Sequence, residues 1–275
     1  MNFDFATILV LTTLICGVIW AIDALVWAPK RRVASDAGGK SQTDEHATDS
    51  RHGEPVVVEY ARSFFPILLA VLVLRSFVIE PFRIPSGSMI PTLQVGDFIL
   101  VQKYAYGLRL PVAHSKILDI GEPQRGDVVV FRFPRDPSLD YIKRVIGLPG
   151  DHLRYDRKRL YINGTPVDLK IEGKYIIDNN PSYSLELALL REKLGDVEHQ
   201  ILVDPTGDMS TPCLQNGEYT VPEGHYFVMG DNRDNSNDSR VWCAVPEENL
   251  VGKAFMIWMN WNGGVEWDRI GNSIE

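Results

Sequence analysis

From Phe5 to Ile22 the chain carries no charged residue, and Asp4 and Asp23 close the run on either side. Eighteen such residues are about the shortest helix that crosses the hydrocarbon core of a bilayer, and the Ala, Leu, Val and Trp27 that follow extend it. A cleavable secretory leader is the alternative. It calls for basic residues ahead of a shorter apolar core, and Met1 to Asp4 contain no Lys or Arg. A retained transmembrane helix over residues 5–27 is therefore expected.

Residues 28–62 are polar and rich in Ser, Thr, Asp and Glu, with Gly38-Gly39, and read as a flexible loop. Lys30, Arg31 and Arg32 follow the first span directly, and no basic residue precedes it. The positive-inside bias then places the loop in the cytoplasm and residues 1–4 outside. A second apolar run begins near Ser63; Phe64 to Leu74 is uncharged before Arg75 interrupts. It is short for a span, so a buried core helix competes with that reading. An Arg75 guanidinium reaching the headgroups lets the segment extend to Ile79. A second transmembrane helix is expected over residues 63–79, with Pro66 in its first turn or so.

Residues 80–275 change character. Short β-branched and aromatic runs, such as Phe98 to Val101, Val128 to Phe131, Tyr226 to Met229 and Ala254 to Trp258, recur between turn signals. Asn163-Gly164 marks a hairpin. Only Leu185 to Leu194 reads as a helix. The fold class is mainly β: an extramembrane barrel- or sandwich-like domain after two transmembrane helices, with 165–215 as an insertion or subdomain. A net charge of −8, with no basic block outside the membrane-proximal region, argues against nucleic acid as a partner. The six histidines are scattered and no Cys/His cluster has metal spacing, so neither metal nor cofactor is read. Cys213 and Cys243 pair only if the domain faces an oxidising compartment.

Two stretches carry chemistry. In Phe82 to Leu93, Pro85 and Pro91 stiffen a turn holding Ser86, Gly87 and Ser88. This is either a plain helix-to-strand turn or the seat of a nucleophile just outside a membrane span. In Asp140 to Gly147 a single lysine, Lys143, sits among apolar residues on a strand. Ser plus Lys is a nucleophile–base pair that needs no histidine. Lysine acts as a base only when neutral, and poising it near pH 7 costs about 4 kcal/mol against the ammonium form, which desolvation supplies. On a strand Tyr141 and Val145 share its side. The alternative is an exposed lysine paired with Asp140. A third stretch, Gly230 to Arg240, is dense in Asp, Asn and Arg. A calcium loop is disfavoured because position 12 counted from Asp231 is Trp242 rather than Glu. A rigid network of Asp238 with Arg240 and Arg233 fits better, with Ser236 orienting the base.

Pro85 to Leu93, Arg125 to Phe131, Asp140 to Asp151 and Gly230 to Ser236, in that order, together resemble bacterial type I signal peptidase (leader peptidase) over roughly residues 80–260. The resemblance implies Ser88 as nucleophile and Lys143 as general base, with the Ser88 amide and the Ser86 hydroxyl as oxyanion hole. It implies Ser236 positioning the lysine, with Asp238 and Arg240 supporting it. Phe82, Ile84, Pro85, Leu93, Tyr141 and Ile142 would form the apolar subsites. The implied function is removal of signal peptides after Ala-x-Ala from exported preproteins. The implied place is the cytoplasmic (inner) membrane, with 80–275 on the periplasmic side and the bilayer as a partner. Two alternatives stand beside it: a peptidase dedicated to one conjugation or pilus substrate, and a non-enzymatic anchored β scaffold. A reporter fused at Gly39 should read cytoplasm and one fused after Glu275 should read outside; the reverse pattern would refute this two-span topology with its loop inside.

Overall fold

The computed structural model describes residues 5–31, 55–111, 115–180, 183–207 and 209–274. The expected external residues 1–4 and most of the expected loop lie outside them. The chain divides into two compact units, one helical and N-terminal, the other β.

In the helical unit, α1 (Phe5–Ile22) runs into a π-helical turn at Asp23–Trp27. α2 (Val56–Val73) runs into another at Leu74–Val78. The helical stretches Ala6–Arg31 and Val56–Val78 are both long and apolar enough to cross a membrane. Asp23 is buried because Arg31 holds it bidentately, at 2.7 and 2.6 Å. Gly17 lets the helices meet: a Cβ there would stand 2.7 Å from Phe65 Cε2. Beside it Trp20 and Phe65 pack with ring centroids 5.5 Å apart. The second helix starts at Val56, ahead of the expected Ser63, because Val56, Val57 and Val58 continue its apolar character behind Pro55. Pro66 therefore lies in the helix interior and not in the first turn. It removes one backbone donor there.

The β unit is built on seven antiparallel strands: β1 (Ile79–Arg83), β2 (Asp97–Gln102), β3 (Val128–Phe133), β4 (Asp136–Gly147), β5 (His225–Met229), β6 (Val245–Pro246) and β7 (Leu250–Asn260). Their order is β1-β2-β7-β3-β4-β5-β6. The sheet stays open, with β1 and β6 at its edges, so the sandwich-like half of the expectation describes it. Both faces are covered. Along β3, Val128 and Val130 enter one apolar cluster with Ile84, Met89, Leu93 and Ile142. Val129 and Phe131 enter another with Val145, Tyr226 and Trp242. Period-two alternation between two cores explains why this strand reads as an unbroken apolar run.

A four-stranded sheet (Glu218–Thr220, His152–Asp156, Arg159–Ile162, Thr165–Pro166) flanks it. Its Asn163-Gly164 turn is the expected hairpin, with both residues at positive φ. The region expected as an insertion forms a three-stranded sheet of Asp168–Asn180, Tyr183–Leu194 and Val197–Val203. The helix expected over 185–194 is its central strand. Pairing on both edges outweighs helix propensity there. Glu192 and Leu194 turn inward with period two. Cys213 and Cys243 form a disulfide.

Phe131→Ala, at a fully buried ring against Tyr141 and Trp242, should cost about 3–5 kcal/mol in denaturant unfolding. Ile171→Ala, at an 83% exposed side chain, should change stability by no more than about 0.5 kcal/mol.

Candidate active site

The turn after β1 is pulled inward by its own apolar residues. Ile84, Met89 and Leu93 are buried in the first cluster. Leu93 N–H donates to Met89 O at 3.0 Å and Ile84 N–H to Asp97 O at 2.8 Å. Ser88 precedes Met89 and is itself 8% exposed. Asn232 pins the turn from outside: its backbone N–H donates to Ser88 O at 3.1 Å and its Nδ2 to Gly87 O at 3.0 Å. Gly230 permits this approach, since a Cβ there would collide with the Ser88 carbonyl oxygen and the Ser236 hydroxyl.

Lys143 lies opposite Val129 in the β3–β4 register, on the strand face of Tyr141 and Val145. It is 4% exposed, and its Nζ donates to Ser88 Oγ at 2.6 Å and to Ile142 O at 2.8 Å. The Tyr141 ring centroid is 5.6 Å from Nζ. The alternative of an exposed lysine held by Asp140 does not describe this side chain. Burial lowers the Lys143 pKa from an ordinary 10.5 to about 8; the Asp238 and Asp231 carboxylates oppose that and the Arg240 guanidinium adds to it. An amine with this pKa is partly neutral at pH 7 to 8 and accepts a proton from a hydroxyl in contact with it.

The cleft over this pair encloses about 760 Å³. Residues 85–88, 140–143 and 234–237 line it, together with Met209, Ser210, Pro212 and Val241. Of the expected site residues, Ser86, Ser88, Lys143, Ser236, Pro85, Tyr141 and Ile142 meet here. Ile84 and Leu93 instead face the apolar core, and Phe82 packs against that core. Ser236 is buried beside Gly230, but the hydrogen bonds of Lys143 go to Ser88 and Ile142. Asp238 and Arg240 are fully buried and bidentate, at 2.9 and 2.8 Å, and Asp238 also accepts the Gly230 N–H at 3.0 Å. Asp238 thereby ties the loop to the end of β5.

Sequence reasoning assigned no role to Arg144, Asp231, Asn232 or Thr92. Arg144 grips Asp231 at 2.9 and 2.7 Å, and Thr92 Oγ1 donates to the same carboxylate at 2.5 Å. A signal was present, because Gly-Asp-Asn-Arg is an unusual run to follow a buried strand. For Met209, Ser210 and Pro212 there was none.

The family model described as signal peptidase, peptidase S26 matches residues 57–261. The chain belongs to the peptidase S26 signal peptidase family. Within it, the chain is 50% identical to signal peptidase I of Pseudomonas fluorescens, over 95% of this chain and 94% of the relative. It is 49% identical to signal peptidase I of Pseudomonas aeruginosa with the same coverage. A solved signal peptidase I from Enterococcus faecalis V583 covers 49% of this chain and 98% of its own at 29% identity and a TM-score of 0.30. As a peptidase S26 member the chain is a hydrolase, and the four motifs quoted from its sequence all lie inside the matched residues.

The lysine also leaves a stability signature. Its folded pKa is depressed, so the unfolded chain binds the extra proton between about pH 8 and 10.5. The penalty is full below that window and is relieved as pH rises through it. The unfolding free energy of the parent should rise relative to that of Lys143→Met by roughly 3 kcal/mol across the window, read by denaturant titration. A parallel pair of curves would refute the buried amine.

Proposed function

We propose that this signal peptidase family hydrolase cuts signal peptides from exported preproteins with a Ser88–Lys143 dyad. The observation that carries the reading is the 2.6 Å contact between a buried amine and a hydroxyl; among the described residues no histidine shares that contact. Neutral Lys143 takes the Ser88 proton while Oγ attacks the scissile carbonyl. The Ser88 N–H and the Ser86 hydroxyl stabilise the oxyanion. The Lys143 ammonium then protonates the leaving amine. Water, deprotonated by the same amine, clears the acyl-enzyme. Asp238 and Arg240 hold the loop that walls the cleft, and Ser236 orients the amine once substrate excludes water.

The preprotein enters extended, as an added strand along the cleft. Shallow pockets beside Pro85, Tyr141 and Ile142 accept small side chains, the Ala-x-Ala pattern. The two apolar helices anchor the chain in the cytoplasmic membrane. Residues 1–4 and 80–275 then lie outside and the intervening loop inside. The bilayer and the preprotein are its partners, and nucleic acid is not.

Ser88→Ala and Lys143→Ala should each lower preprotein cleavage at least about 1,000-fold. For the parent, kcat/KM should rise with pH through about 8 as Lys143 loses its proton. Cleavage by either variant at the parent rate would sink the dyad. Processing of several unrelated preproteins would separate a general peptidase from one dedicated to a single substrate.

A further inference from the structure

Asp231, Asn232 and Arg233 form a splint, each residue bonded to a different part of the β unit. Asn232 in the middle holds the Ser88 turn, through Ser88 O and Gly87 O. Asp231 on one side is gripped by Arg144, the neighbour of Lys143 on β4. Arg233 on the other side reaches the outer three-stranded sheet. Its Nη1 donates to Glu192 Oε1 at 2.8 Å, and its Nη2 donates to Glu192 Oε2. Glu192 is 0% exposed and Arg233 1%. His199 lies directly across from Glu192 in the strand register, between the two clamps. Its Nε2 lies 3.2 Å from Glu192 Oε2 and 3.8 Å from Asp231 Oδ1. The outer sheet also bonds to the splint backbone, with Leu202 N–H donating to Asp231 O at 2.8 Å.

We infer that Glu192 is a positioning residue for the Ser88–Lys143 pair, acting through Arg233 and Asn232 on the turn that carries Ser88. The inference rests on the dyad reading given under Proposed function. Three physical points carry it. A bidentate carboxylate fixes the plane of the guanidinium as well as its place, so Glu192 sets the direction of the chain at Arg233, one residue from Asn232. The pair is wholly desolvated, a costly way merely to hold a sheet in place, since well-packed apolar residues of the same volume often stabilise as well or better. Burial opposes ionisation of Glu192, yet Arg233 and His199 hold its carboxyl down at about 2, so the clamp stays charged at neutral pH. Around the site the three buried guanidiniums of Arg144, Arg233 and Arg240 then face the three buried carboxylates of Asp231, Glu192 and Asp238. Loss of one carboxylate leaves an uncompensated cation in the layer that carries Asn232, and the turn moves with it.

A double-mutant cycle on the full-length chain in detergent micelles tests this, with kcat and KM measured separately on a peptide spanning an Ala-x-Ala site. Glu192→Gln should lower kcat on the order of 10- to 100-fold and leave KM near the parent value. In an Asn232→Ala background, where the side-chain link to the turn is already lost, the same change should cost several-fold less. Equal costs in the two backgrounds would overturn the inference, since a residue that only holds the fold has no reason to couple to Asn232. A parent-like kcat for Glu192→Gln would overturn it as well. If Glu192→Gln does not fold, Glu192→Gln combined with Arg233→Met leaves no unpaired buried charge, and it should show the same loss of kcat; a parent-like kcat there also refutes the role. Ser88→Ala run alongside separates the two levels. An active Ser88→Ala enzyme defeats the dyad itself, whereas an inactive one with a parent-like Glu192→Gln defeats only the role of Glu192.

Discussion

Desolvation of a single amine is the constraint that the rest of the β unit answers. An ammonium taken from water loses several kcal/mol of hydration, and a carboxylate in contact with it would return that energy and keep the charge. Among the described residues no carboxylate lies in hydrogen-bond contact with Lys143. Its two hydrogen bonds go to the neutral acceptors Ser88 Oγ and Ile142 O. The nearby acids Asp231 and Asp238 are each engaged bidentately by an arginine, Arg144 and Arg240. The proton affinity of Lys143 is thus lowered by burial while its negative neighbours are neutralised by partners of their own.

That arrangement explains the architecture around it. β3 and the 142–147 half of β4 are buried from both faces, which buries the Lys143 stem. The turn bearing Ser88 is anchored from below by Met89 and Leu93 and from the side by Asn232. The Oγ is therefore held within reach of the amine, at 2.6 Å. Gly230 has the same logic: the chain must pass closer to the Ser88 carbonyl than any Cβ allows.

The outer sheet contributes more than its sequence advertises. Read along the chain, residues 165–215 have few apolar runs and suggest a peripheral insertion. In space they send Glu192, His199 and Leu202 inward, and they carry Met209, Ser210 and Pro212 to the cleft. The Cys213–Cys243 disulfide joins this region to the loop that follows Arg240. The consecutive charges Arg191, Glu192 and Lys193 on a central strand look solvent-facing in sequence. The burial of Glu192 became visible only with Arg233 placed opposite it.

Much was legible in the sequence alone: two apolar helices, a mainly β remainder, the Asn163-Gly164 hairpin, and Ser88 and Lys143 as the residues to watch. These follow from local rules of helix length, period-two alternation and turn chemistry, and from four motifs in order. The start of the second helix, the strand nature of 185–194, the place of Ile84 and Leu93 in the core, and the Asp231–Arg233 splint came only with tertiary structure. Each depends on partners far away in sequence. Ser88 and Lys143 are 55 residues apart and Glu192 and Arg233 are 41 apart. No local pattern records which buried charge will find its counterion, because burial and pairing are decided together when the sheets pack.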